Sequence, residues 1–379
     1  MLAVGGISPG GVTQDVVKYT TSPSLALDRR DILRRLSVLS ALSADSESAR
    51  VILTLSRSGV RLVLDQPGVK AVCRVTPVSI TVNDPIQVAI PLQGLSAMLR
   101  GVLQPTVSLE VSPGEIVLKN GAYSSFVRCS SASAVVLPRL TSSQAYASSL
   151  ICALFTATSL PDSLGISKVY VDSGAALKIV SAHPHILRVA ESEPLGISFG
   201  IALSGTQANA IADLTKGRED LVHFGLADEW IVIGCGHDSL YLKQSDRPLL
   251  DYETELLDTA SDIVCSTPEE FKSVSRQARR IGAQCVSMRP AGRGMSFSLR
   301  GREIRCDLPP NVAGEPSGMW ANLDPRYLSA ALSGADAIRP DSLVYHHPVS
   351  ANSPVRLSAR GEIRQFQTRY LAAIMPLEI

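Results

Sequence analysis

The chain has 379 residues, of which 45% are hydrophobic and 19% charged. At about 150 residues per domain this allows two or three domains with a substantial core, and it excludes a disordered chain. Thirty-six basic residues oppose 35 acidic ones, for a net charge of +1, so a nucleic-acid role cannot rest on bulk charge and needs segregated charge. Only eight of the basic residues are Lys; the Arg excess suits phosphate contacts made through a planar fork.

Seven Cys stand at 73, 129, 152, 235, 265, 285 and 306, with no C-x-x-C pair. The odd count, and thiols set in apolar runs, point to reduced Cys in a cytoplasmic protein. No apolar run reaches about 18 residues, so no membrane span is expected, and no basic-then-apolar leader is visible. Residues 1–20 are Gly-rich and read as a loosely held extension.

The first periodic segment runs from Leu27 to Leu42, with Ile32, Leu36 and Leu39 on one helix face and Asp28 as N-cap. Val51–Leu55 and Val60–Leu64 then alternate as strands joined at Arg57–Gly59. A strand-like run, Ile86–Ile90, precedes a second helix over Pro91–Arg100. Val107–Val111 and Glu115–Leu118 form a hairpin across Pro113–Gly114.

The same order then recurs. A helix over Ser142–Leu160 places Tyr146, Leu150 and Leu154 on one face. The strand-like run Ile197–Leu203 leads into a helix over Ser204–Leu214, and strands follow at Leu221–Gly225 and Trp230–Ile233. In the third copy Thr267 caps a helix opened by Pro268, with Glu269 and Glu270 at its positive end. Met319–Leu323 leads into a helix over Asp324–Leu332, and Val355–Leu357 turns at Arg360–Gly361 into Glu362–Arg364. Each copy reads helix, strands, helix, strands. The expected class is therefore α+β, with three domains of one kind at 21–140, 141–256 and 257–379 rather than a parallel nucleotide-binding sheet.

In this order the sequence resembles the bacterial β sliding clamp family, the processivity subunit of the replicative DNA polymerase. The resemblance covers Leu25 to the C-terminus. It rests on the triple repeat and its length, on Ile86–Arg100 with the following hairpin, and on Val135–Leu140 at the first junction. It rests further on Leu250–Tyr252 before the second junction, and most specifically on the closing Ile374–Ile379, similar to the family's Met-Pro-Met-Arg-Leu ending. The resemblance implies a homodimeric ring of two three-domain protomers, with helices lining a hole around double-stranded DNA and antiparallel sheets outside. It also implies that DNA polymerase, clamp loader and repair proteins dock through short clamp-binding peptides between domains two and three. It implies no cofactor, no metal and no catalysis.

If helices line such a hole, their non-core faces carry the DNA contacts. The candidates are Arg30 and Arg34 at i, i+4; Arg100 and Lys216 ending second helices; Lys272, Arg276 and Arg279 at i, i+4, i+7 with Arg280 beside them; and Arg326. The Ser142–Leu160 helix has no basic residue, so that sector would use Gln144 and Ser148. For the peptide pocket the resemblance assigns Met375, Pro376, Leu377 and Ile379 to an apolar wall, with His185, Leu187, Leu250 and Thr254. Gly165 stands where the family has a pocket Leu, and Ile186 where it has Arg. Glu378 replaces a basic residue, and Thr254–Glu255 replaces Arg-Val.

Two other readings compete. Gly196–Gly200 matches G-x-S-x-G, the nucleophile elbow of serine hydrolases, with Ser198 as nucleophile. A clamp-fold paralogue that binds proteins without loading on DNA is the other. The His183/His185 and His346/His347 pairs lack Cys or carboxylate at metal-ligand spacing, and no G-x-x-x-x-G-K-S/T loop exists for a nucleotide.

Overall fold

The computed structural model describes residues 23–43, 47–112, 114–121, 123–140, 142–160, 164, 168–194, 196–244, 260–265, 268–291, 294–299, 302–307, 320–348, 350 and 353–377. The extension 1–20, Thr267, Gly165, Leu250, Thr254, Glu255, Glu378 and Ile379 lie outside them.

Three units repeat one plan. The first has β1 (Ser24–Asp28), α1 (Arg29–Leu42), β2 (Arg50–Ser56), β3 (Gly59–Gln66), β4 (Val69–Val75) and a short β5 (Pro77–Thr81). Its second half is β6 (Ile86–Pro91), α2 (Leu92–Arg100), β7 (Thr106–Ser112), β8 (Glu115–Asn120), β9 (Tyr123–Arg128) and β10 (Ser130–Ser131). The second unit has β11 (Ser142–Ala147), α3 (Ser148–Thr158), β12 (Lys168–Ser173), β13 (Leu177–His183) and β14 (Ile186–Ser192). It continues with β15 (Phe199–Ser204), α4 (Gly205–Thr215), β16 (Leu221–Ala227), β17 (Trp230–Cys235) and β18 (Asp238–Lys243). The third has β19 (Ala260–Cys265), α5 (Pro268–Arg280), β20 (Val286–Ala291), β21 (Gly294–Leu299) and β22 (Arg302–Asp307). It ends with β23 (Ala321–Leu323), α6 (Pro325–Ala337), β24 (Pro340–Pro348), β25 (Val355–Ile363) and β26 (Phe366–Ile374). All pairings between these strands are antiparallel. The class is α+β, as the repeat implied.

Helix starts follow from their caps. Asp28 accepts from the Asp31 amide at 2.9 Å, as expected of it, and Ser204 and Gln207 close a reciprocal capping box. Asp324 caps α6 with Pro325 in the first turn.

Two expectations need correction. The helix expected over Ser142–Leu160 begins only at Ser148, because Ser142–Ala147 pairs residue for residue with Leu226–Leu221. Tyr146 keeps its i, i+4 spacing to Leu150 but reaches the core from a strand, edge-on to Phe224 at 6.0 Å. Likewise Gly361 is no turn. β25 runs through it to Ile363, and the reversal falls at Arg364 and Gln365, whose φ values are 49° and 75°. Glycine is required at 361 because a Cβ there would collide with the Ile338 carbonyl oxygen.

The strands form four sheets, two of which run from one unit into the next. The third strand after a unit's first helix pairs with the third strand after the next unit's second helix. Thus β4 pairs with β18, and β14 with β26. The helices obey the same rule, α1 packing on α4 and α3 on α6, so that the six described helices stand in one row: α2, α1, α4, α3, α6, α5. One core of buried apolar side chains, including Leu36, Leu154 and Leu328, passes through all three units.

On the far side of the first junction the linking segment lies over the sheet. Val135 and Leu137 pack on Val63, Val72, Val232 and Tyr241, while Val136 between them is exposed.

Candidate nucleic-acid interface and peptide groove

Each helix buries one face and turns another to solvent, and the solvent faces of the row are chemically uneven. In α1 the exposed stripe is Arg30, Arg34 and Ser37; in α2 it is Gln93, Ala97 and Arg100. In α4 it is Thr206 and Asp213, with Lys216 at the C-cap. α3 exposes only Thr156, and its partly exposed neighbours are Ser149, Cys152 and Ser159. In α5, Arg276, Arg279 and Arg280 are exposed around the buried stripe Phe271, Val274 and Ala278.

The basic candidates are not equivalent. Lys272 is held by Glu269 at 2.7 Å and by Asp336 of α6 at 2.6 Å. Burial works against its charge, but these two carboxylates outweigh that and raise its pKa. Arg276 reaches Glu269 at 3.3 Å, and Arg326 is clamped to Asp324 at 2.6 Å. Arg279 donates to the Ser329 hydroxyl at 3.4 Å. Arg30, Arg34, Arg100, Lys216 and Arg280 have no carboxylate within ion-pair distance among the described residues.

Ser148, expected on this face, does not join it. It is fully buried, and its hydroxyl donates to the Arg218 carbonyl. Gln144 is exposed, but on β11 beside Gly196 rather than on a helix.

A buried ion cluster and a lone buried arginine, neither expected from the sequence, rivet the units together. Asp238, 1% exposed, takes the guanidinium of Arg35 from α1, that of Arg218 at 2.6 Å and the Arg74 amide at 2.9 Å. Units one and two therefore share a single carboxylate. At the second junction Arg188 of β14 is buried with no carboxylate in ion-pair distance among the described residues. It donates to the carbonyls of Thr158, the last residue of α3, and of Ala330 in α6 at 3.1 Å. A helix C-terminus carries partial negative charge and unpaired carbonyls, which suits a cation. Beside it Gly334 lets α6 approach α3, since a Cβ would strike the Ala157 carbonyl and the Tyr370 hydroxyl.

The expected peptide pocket is described in part. After β26 the chain crosses from unit two to unit three: the Met375 amide donates to the His185 carbonyl at 3.0 Å, and the Leu377 amide to the Asn322 carbonyl at 2.7 Å. Met375 is exposed, Pro376 and Leu377 half-buried. Alongside, His183, His185 and Tyr327 gather three rings with centroids 5.4–5.8 Å apart. Burial, then the neighbouring His185, lowers the His183 pKa. Leu187 packs on the outer sheet face with Val180, Val189 and Leu371. Tyr327 was missed because its ring comes from unit three, 142 positions beyond His185 in sequence, and no spacing rule links them.

Ser198 stands just before β15, whose six residues separate it from α4. That is not the abrupt strand–turn–helix of a nucleophile elbow. His347 is buried against the Tyr345 hydroxyl, 2.9 Å away, and His346 bonds Ser358 at 2.9 Å. Among the described residues no three metal-ligating side chains converge, and no helix is long and apolar enough to cross a membrane.

Solved structures share this architecture over nearly the whole chain. The DNA polymerase III β subunit of Thermotoga maritima aligns with a TM-score of 0.72 at 12% identity, covering 94% of this chain and 100% of that one. The Pseudomonas aeruginosa sliding clamp bound to griselimycin gives 0.70 at 15% identity, covering 95% and 100%. The fold is that of a bacterial sliding clamp. The Helicobacter pylori β clamp bound to a DNA ligase peptide gives 0.67 at 15%, covering 94% of this chain and 100% of the other. No protein-family model and no curated protein matches the sequence. The clamp fold thus persists here at identities where packing pattern, rather than residue identity, carries the likeness.

Proposed function

We propose that the chain is a DNA sliding clamp: two copies close head to tail into a ring that encircles duplex DNA without reading its sequence. The ring tethers the replicative polymerase, its clamp loader and repair proteins through short peptides bound in the groove between units two and three. It performs no catalysis and needs no cofactor.

One observation carries the reading. The pairing rule that joins unit one to two and two to three leaves a complementary remainder at the chain's two ends. β22 is the third strand after the first helix of unit three, β9 is the third strand after the second helix of unit one, and both are sheet edges among the described residues. Unpaired edges are hazardous unless covered. Applied once more, the rule joins β22 of one protomer to β9 of the next and α5 to α2, and a heterologous contact of this kind that closes makes a ring. The apolar side chains left exposed support it: Phe126 on β9 is 63% exposed, Leu103 beyond α2 94%, and Ile281 beyond α5 44%.

In such a ring the helix row faces the duplex, and Arg30, Arg34, Arg100, Lys216, Lys272, Arg276, Arg279, Arg280 and Arg326 are the proposed phosphate contacts, backbone-directed and sequence-independent. Leu187, His185, Met375, Pro376 and Leu377 are the proposed peptide contacts, with Tyr327 added.

Mass photometry at micromolar concentration tests the assembly. A mass of two chains is expected, and Phe126→Asp, which sets a charge in the closing strand pair, converts it to one chain. A wild-type monomer, or a Phe126→Asp protein that remains fully dimeric, contradicts the seam.

A further inference from the structure

The excess positive charge of the helix row is concentrated at its two ends. Arg30, Arg34 and Arg100 stand on α1 and α2 at one end, and Arg279 and Arg280 on α5 at the other, with no carboxylate in ion-pair distance among the described residues. The helices between them are neutral. α3 exposes no charge, α4 offers Asp213 against Lys216, and α6 sets Arg326 against Asp324. Asp336 and Glu269 likewise neutralise Lys272 and Arg276. In head-to-tail closure, on which this inference rests, α5 of one protomer meets α2 of the next, so the two uncompensated arginine groups meet at each seam.

We propose that the seams are the main duplex-binding arcs of the ring and that bound duplex acts as an electrostatic clasp on them, while the unit-two sector contributes little beyond Lys216. The chemistry is plain. Arg30, Arg34 and Arg100 from one chain repel Arg279 and Arg280 from the other wherever the seam is closed without a polyanion. A duplex in the hole puts phosphates between the two sets, and each phosphate contact favours the closed seam over the open one. Ligand that binds only the closed form stabilises it by linkage. Salt and DNA therefore act in the same direction on assembly: screening relieves the repulsion, and phosphate removes it. A seam held by cross-chain ion pairs would instead weaken with salt.

The dimer dissociation constant of the full chain, measured by fluorescence exchange between labelled copies, reads this directly. Without DNA it is expected to fall about fivefold as NaCl rises from about 50 to about 300 mM, as screening weakens the repulsion of several such charge pairs at each seam. The Arg279→Ala/Arg280→Ala protein is expected to dimerise more tightly than wild type at low salt and to lose most of that dependence. A short blunt duplex should tighten the wild-type dimer at low salt and the double variant much less. Thr156→Lys, which adds charge to the neutral sector, is expected to raise duplex affinity while leaving the salt response of the dimer in place.

A wild-type dimer that loosens with salt, or a double variant that dimerises no better, overturns the clasp and leaves the ring standing. Absence of any dimer overturns both.

Discussion

Replacing Asp238 by Asn is expected to cost about 3–5 kcal/mol of stability, the usual result of removing one partner from a buried ion cluster. Asp238 is 1% exposed, while Arg35 and Arg218 each keep 13% of their side chain in solvent. Without the carboxylate two guanidinium groups face each other at the join between units one and two, with only Asp31 left near Arg35 at 3.1 Å. An amide offers one acceptor where the carboxylate serves two cations and the Arg74 amide. The damage should be local to the junction. Thermal unfolding would then show a lowered first transition with unit three least affected, and hydrogen exchange would locate the loss in β4 and β18. A Tm within about a degree of wild type would mean that the cluster is a solvated surface feature.

Deleting residues 375–379 is expected to abolish binding of clamp-binding peptides, weakening it by about a hundredfold or more, while leaving the dimer intact. Apolar anchors draw most of their affinity from a few side chains in a preformed groove, and a hundredfold is about 2.8 kcal/mol. The tail is well placed for this. Its amides are tied to His185 in unit two and to Asn322 in unit three, so Met375, Pro376 and Leu377 are held beside the His183–His185–Tyr327 rings. The segment lies beyond β26, whose pairing with β14 does not need it. Fluorescence anisotropy with a labelled peptide decides the matter. Undiminished affinity would make the tail a structural brace between two units and nothing more.

The repeat was legible in the sequence because it is written in periodicity. Ile32, Leu36 and Leu39 mark a helix face, alternating runs mark strands, and Asp28, Ser204 and Asp324 mark helix starts. These local signals accompany a shared fold at 12–16% identity to similar solved structures, because packing demands only apolar side chains of suitable volume. Exposed candidates such as Arg34 and Arg280 were legible for the same reason, as off-face positions of an amphipathic helix.

What failed were features set by long-range contact. Ser142–Ala147 looked helical because Tyr146, Leu150 and Leu154 share a helical spacing; only the partner strand β16, some 80 positions away, makes that segment extended. Ser148 looked exposed because polar, yet the distant Arg218 carbonyl takes its hydroxyl and buries it. Gly361 looked like a turn because glycine often is one, whereas the approach of Ile338 dictates it. Asp238 and Arg188 gave no signal, since a buried charge is recognised by its partners, and those are remote in sequence: Arg35 and Arg74 of unit one for Asp238, and Ala330 of unit three for Arg188.

A ring surrounds DNA rather than adhering to it, and that difference is topological. The most direct measurement is retention on circular against linear duplex. Dimers are reassociated from dilute monomers in the presence of nicked circular plasmid and passed through a gel-filtration column at about 0.2 M salt, where plain phosphate contacts are much weakened. The encircling account predicts that protein co-elutes with the circle and is released when one restriction cut linearises it. Equal retention on circle and linear DNA, or loss from both by a protein that is dimeric, would contradict it.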